Sequence, residues 1–174
     1  MRDRSRNDGP DILEFDNEFW RFSLAIYGQA HVAEECLSLQ QTLGIDVNLL
    51  LFCAWLGTRA VTLGANDIED ASTAVDNWHQ NVVRPLRGAR QWVKTFNREE
   101  LGGLRGRMKE IELDAEQVEQ AILFAYSKHL QKTAGADRGD AIASNVSRYL
   151  KAKSAGQTSA VSAPHLIEVA RRAL

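Results

Sequence analysis

The chain has little of what usually betrays a chemistry. Its 174 residues include two cysteines, three prolines and two methionines. Cys36 and Cys53 form no C-x-x-C pair, and both fall inside apolar helical patterns. Buried free thiols in a reducing compartment are expected, and no activating base stands near either in sequence. Charge of one sign is also missing. Lys and Arg number 21 against 23 Asp and Glu, a formal net charge of −2, whereas a dedicated nucleic-acid binder carries a strongly basic surface. Nucleic acid is therefore an unexpected partner. The opening MRDRSRNDGPD lacks the apolar core of a signal peptide, which predicts a cytoplasmic protein. No apolar run reaches the roughly 20 residues of a membrane span, and no segment alternates with the period of a strand. The glycine cluster Gly102-Gly103-Leu104-Arg105-Gly106-Arg107 follows no strand, as a phosphate-cradling loop would. No Ser-His-Asp set can be assembled, and no cofactor is expected.

What is present is helical. Leu49 to Leu56 runs without a polar break. A helix apolar on every side is buried all round, so this one is expected at the centre of the fold, opened by Asp46 as N-cap and stopped at Gly64. Before it, Asp16 caps a helix to about Gly28, with Phe19, Phe22 and Ile26 on one face. A second helix runs from about Ala30 to Leu43 and ends at Gly44, which enters the left-handed region without steric cost. After it, Asn66 and Glu69 read as a capping box. Ile68, Ala71, Val75, Trp78, Val82, Pro85, Ala89, Trp92 and Phe96 then form a heptad-like seam. Pro85 interrupts the seam, giving one bent helix or two shorter ones. Glycines make Arg98 to Lys109 a weak helix or a loop. Asp114 then caps a helix to about Gln131 that buries Val118, Ile122, Ala125 and Tyr126. Asp140 to Lys151 and the Pro164 segment complete the set.

The prediction is an all-α, single-domain bundle of about six to seven helices around the central apolar one. Residues 1–11 form a disordered leader, 12–152 the helical domain, 153–163 a flexible linker and 164–174 a short amphipathic helix. A chain of 174 residues is long enough to bury one full core.

The stretch FWRFSLAIYGQAHVAEECLSLQQTLGIDVNLLLFCAWLG, followed by WHQNVVRPLRGARQWVK and by LDAEQVEQ, resembles a family of short bacterial proteins of unknown function. The resemblance is densest from Phe19 to Gly57 and covers more than half the chain. It implies a bacterial origin and a helical fold, and it carries over no reaction, cofactor or partner. Where the proteins it resembles carry Gly, this chain has His31.

Three candidate sites follow. His31 with Glu34 and Glu35, and Asp76 with His79, are two helical carboxylate–imidazole half-motifs that could share a metal if their helices met. The segment 84–109 carries eight basic residues against Glu99 and Glu100. Its Arg84, Arg87, Arg90, Arg105 and Arg107, with Trp92 interleaved, could hold a polyanion or an acidic protein surface, or simply form a solvated face. Leu166, Ile167 and Leu174 give the last helix an apolar face for a partner groove or for its own bundle. Asn48, polar in an apolar helix, must find a hydrogen-bond partner once buried and is expected to fix register. The first reading is a non-enzymatic protein-interaction or self-association module. A metal- or small-ligand-binding protein with a polar site between helices is the second, and a polyanion binder through 84–109 the third.

Overall fold

The computed structural model describes residues 12–154 and 161–173. The expected leader, most of the expected linker and Leu174 lie outside the described residues. Among those described there is no strand, and there are eight α-helical segments. These are α1 Glu18–Tyr27, α2 Val32–Leu43, α3 Val47–Thr58, α4 Ala65–Trp78, α5 Arg84–Lys94, α6 Gly102–Ser127, α7 Arg138–Lys153 and α8 Pro164–Arg172. A π turn, His79–Val83, joins α4 to α5 without a gap, so the segments make seven rods. The all-α bundle read from the sequence is the fold. No helix among the described residues is long and apolar enough to cross a membrane.

The central helix is α3. Every residue from Asn48 to Gly57 is buried, as an all-round apolar helix requires. Phe52 and Trp55 pack on Phe19 of α1, with ring centroids 5.4 and 5.3 Å away. On the other side α3 meets α7 at Gly57, where a Cβ would fall 2.5 Å from the backbone N and Cα of Ile142. Only a residue without a side chain permits that approach. The helix ends at Thr58, before the expected stop. Ala60 turns left-handed with φ 58°, the N–H of Val61 reaches back to Leu56 O, and Gly64 is instead the N-cap of α4. Asn145 of α7 holds the connecting segment. It accepts from Leu63 N–H at 2.8 Å and donates to Val61 O at 2.8 Å.

Helix α8 folds back on its own bundle, with Ala163, Leu166 and Ala170 fully buried. Its first turn is capped from another helix. Glu35 of α2 accepts the backbone N–H groups of His165 and Leu166 at 3.1 and 2.9 Å, placing a carboxylate at the positive end of the helix dipole.

Several local expectations are corrected. Asn17, not Asp16, caps α1 by accepting Trp20 N–H at 2.8 Å. His31 is not a residue of α2 but its N-cap, at φ 67°, a conformation natural to glycine and strained for other residues. At the start of α4 it is Asp67 that reaches back to Gly64 N–H, at 2.7 Å. Asp137 rather than Asp140 opens α7. Gly102 to Lys109 is neither loop nor separate helix but the first two turns of α6, and Asp114 lies inside that helix. Packing against α5 outweighs the glycine penalty of up to about 1 kcal/mol each.

The heptad seam fails halfway, for a specific reason. Ile68, Ala71 and Val75 face the core. The π turn then adds one residue per turn to the count. From there Val83, Leu86, Arg90 and Val93, each one later than the pattern required, are buried or half-buried, and half-buried Arg87 joins them. Trp92 and Phe96 are thrown outward and are 64 % and 50 % exposed. The wider turn sits directly before Pro85, the residue that lacks the N–H needed to continue a regular helix. The helix continues through this turn and does not divide.

Candidate functional site

Helix α6 turns a polar stripe toward the core. Glu112, Glu119 and Gln120 are buried, and Glu116 is half-buried. Their spacing of four, three and one keeps them on one face. The stripe meets the start of α3 and the π turn between α4 and α5, and there it organises two polar clusters.

The deeper cluster is Asp46, His79 and Glu119. Asp46 is the N-cap of α3, and one of its oxygens, Oδ1, accepts Asn48 N–H at 2.8 Å. Its backbone is pinned by the phenol of Tyr149, which donates to Asp46 O and accepts from Asp46 N–H, both at 3.0 Å. His79 is the first residue of the π turn. Its Nδ1 stands 3.3 Å from Asp46 Oδ2 and 3.1 Å from Glu119 Oε1. The Asn48 amide donates to Glu119 Oε2 at 3.2 Å and accepts from Gln120 Nε2 at 2.8 Å. Asn48 therefore has the partners that its burial demands, and it orients both carboxylates at once. Burial pushes the Asp46 carboxyl well above the usual range. The neighbouring Glu119 pushes it further, while His79 pulls it back. Burial raises Glu119 as well, against hydrogen bonds from Asp46 and Asn48 that lower it. Asp46 and His79 border a cavity of about 470 Å³.

The second cluster joins α5 to α6. Arg87 donates to Glu112 at 3.0 Å and to Glu116 at 2.6 Å, and Arg90 also pairs with Glu112. Burial raises the Glu112 carboxyl, but hydrogen bonds from Arg90 and Arg87 outweigh it and hold the group below its ordinary value. These four side chains border a cavity of about 330 Å³, with Trp20, Leu24, Leu37, Val47 and Leu51 as its apolar wall. Ser23 and Gln120 also line it, and two of their atoms, Ser23 Oγ and Gln120 Oε1, are buried without any hydrogen-bond partner.

The sequence candidates are distributed differently from what spacing suggested. Among the described residues, the group close enough to share an ion is Asp46, His79 and Glu119. The half-motif of His31, Glu34 and Glu35 does not join it. His31 pairs with exposed Glu34 at 3.6 Å and stacks on His165, ring centroids 5.3 Å apart. Glu35 caps α8. Asp76 is exposed, accepts from Gln80 at 3.2 Å and borders the larger cavity without entering the triad. In the basic segment, Arg87 and Arg90 are committed to Glu112 and Glu116, and Arg84 to Gln80 at 2.6 Å, whereas Arg107 is exposed and Arg105 half-buried. The polyanion surface thus loses two of its arginines to internal ion pairs. Leu166 is wholly buried in its own core and is not offered to a partner, whereas Ile167 packs against that core and stays half-buried. Cys36 and Cys53 are free and buried.

Sequence reasoning read Asp46 only as a cap, and it missed Glu112, Glu116 and Glu119 as site residues. Their signal lay in ELDAEQVEQ, residues 112–120, where reading Asp114 as a cap hid a run of polar residues at helical spacing on the inward phase. The half-buried Val118, Ile122, Ala125 and Tyr126 flank that phase.

A family model described as a protein of unknown function (DUF2390) matches residues 18–123, a stretch that holds α1 to α5, both clusters and most of α6. Comparison with curated proteins and with solved structures finds no match.

Proposed function

We propose that this chain, which belongs to the DUF2390 family and takes no assigned activity from it, binds a small amphiphilic molecule in the cavity between α1, α3, α5 and α6. The observation that supports this reading most is that two residues lining the cavity, Ser23 and Gln120, each carry a buried side-chain oxygen, Oγ and Oε1, without a hydrogen-bond partner. A buried polar atom without a partner costs about 1–3 kcal/mol, and a ligand that hydrogen-bonds both atoms removes that cost. A volume of about 330 Å³ falls in the range of small-molecule sites. The wall calls for an apolar body. Gln120 Oε1 calls for an N–H or O–H donor, and Ser23 for either role. Arg87, Arg90 and Lys109 against Glu112 and Glu116 favour a head group that is neutral or anionic.

Native mass spectrometry of the protein equilibrated with a cell metabolite extract tests this. The expected result is one added small molecule per chain. Leu24 lines the cavity and is 51 % exposed, so Leu24→Trp fills the mouth and removes the adduct without disturbing the core. A bare chain in the unmodified protein overturns the reading.

A second reading, docking of a protein partner or a second copy, is supported by Trp92 and Phe96. They form an exposed edge-to-face pair, centroids 4.7 Å apart, on α5, and exposed aromatics are common binding anchors. Light scattering of the unmodified protein and of Trp92→Ala tests it. A monomer in both cases, with no partner retained, removes it.

A further inference from the structure

We infer that Asp46, His79 and Glu119 form a binding site for one divalent transition-metal ion, entered from the cavity that Asp46 and His79 border. The three side chains come from the cap of α3, the π turn and the middle of α6. Their ligand atoms all lie within 4.8 Å of one another. His79 Nδ1 lies 3.1 Å from Glu119 Oε1 and 3.3 Å from Asp46 Oδ2. An ion bonded at about 2.0–2.2 Å to nitrogen and oxygen ligands has ligand-to-ligand edges of about 2.9–3.5 Å, and both edges that meet at His79 Nδ1 fall in that range.

The surrounding groups are arranged as a metal site needs. Asp46 has one oxygen held and the other directed at the imidazole, and Glu119 faces the imidazole with both oxygens, at 3.1 and 3.2 Å. Asn48 N–H holds Asp46 Oδ1 at 2.8 Å, and the Asn48 amide holds Glu119 Oε2 at 3.2 Å. Such outer hydrogen bonds fix ligand orientation at metal centres. Two carboxylates facing one imidazole in the interior make a site whose negative charge a dication offsets. The cavity of about 470 Å³ supplies an entry path and room for waters to complete the coordination sphere. The π turn adds to this placement. It starts at His79, and single π turns inside helices recur at functional sites. One imidazole with two carboxylates suits Mn²⁺, Fe²⁺ or Zn²⁺ better than a site of oxygens alone, which favours Mg²⁺ or Ca²⁺.

This inference is independent of the ligand cavity, and its test does not involve that ligand. Metal-stripped full-length protein is titrated with Zn²⁺ and, separately, with Mn²⁺ by calorimetry. One ion per chain is expected. His79→Gln keeps a hydrogen-bonding side chain and removes the imidazole, and it should abolish binding. Asn48→Ala removes the amide that holds Glu119 and keeps the backbone N–H on Asp46, and it should weaken binding by about 10–100-fold. His31→Ala and Asp76→Asn should bind like the unmodified protein. Because a buried substitution can unfold the chain, Mn²⁺ is also added to unmodified protein in an NMR experiment. The amides of Asp46, Asn48, His79, Glu119 and Gln120 should broaden first. No stoichiometric binding, full binding by folded His79→Gln, or broadening centred elsewhere overturns the inference.

Discussion

Gly57 of α3 lies against Ile142 of α7 so closely that a methyl group there would sit 2.5 Å from the Ile142 backbone. The contact brings two backbones together and sets the distance between the central helix and the helix that carries Asn145 and Tyr149. Through Tyr149, which brackets the backbone of Asp46, that distance also locates one corner of the triad.

Gly57→Ala should therefore destabilise the fold. Forcing atoms into a packed core costs about 1–3 kcal/mol, and here the obstacle is backbone, which cannot rotate aside. Urea denaturation checks this, and a midpoint unchanged from the unmodified protein would contradict it.

Glu35 lies on α2 yet caps α8, accepting two backbone N–H groups at 3.1 and 2.9 Å. Loss of a helix cap costs about 0.5–2 kcal/mol. In Glu35→Ala, hydrogen exchange should accelerate in 164–172 and stay slow in α3. Exchange that accelerates evenly through the chain would mean that α8 is not separately anchored.

The pairing of Glu112 with Arg87 and Arg90 makes stability depend on pH. The folded pKa of Glu112 is lowered, so its contribution is present above about pH 4.5, its ordinary value. It is lost as pH falls through the folded value. Glu112→Gln should cost about 1–3 kcal/mol at pH 7 by leaving charged donors underserved. That cost should shrink once the unmodified protein is acidified through the folded pKa. Thermal melts from pH 7 down to pH 3 read the difference directly, and a constant gap would refute the assignment.

Burial pushes the Cys36 and Cys53 thiols up to about 12, with nearby Glu35 adding to the effect at Cys36. At pH 8 neither should react with a thiol reagent in the native protein, because the thiolate is the reactive form. Both should titrate after denaturation. Rapid labelling of one cysteine in the native protein would place it in a different environment.

Trp92 distinguishes the observed phase of α5 from an unbroken seam. On the seam it would be buried, and its truncation would cost about 3–5 kcal/mol. Exposed at 64 %, Trp92→Ala should change stability by no more than about 0.5 kcal/mol. Thermal unfolding separates the two cases.

Most of the architecture was legible in the chain because it rests on local periodicity. The apolar run around Phe52 announced a central helix, and Gly44 announced a left-handed stop that the structure places at φ 63°. The site was less legible. His79 and Asn48 drew attention as part of a half-motif and as a misplaced polar residue, but their partner Asp46 read as an ordinary cap and Glu119 drew no reading of its own. Asn48 and Glu119 are 71 residues apart, and no spacing rule connects them.

What the sequence determined by itself was the set of helices and the one helix all others must cover, because burying apolar surface depends on composition and period. Tertiary structure alone decided which polar residues share the interior. The single extra residue in the turn at His79 rotates everything after it. That rotation sends Trp92 to solvent and directs Arg87 and Arg90 to Glu112. Such a phase shift is set by packing against α6 together with the missing N–H of Pro85, and the periodicity of the segment alone carries no trace of it.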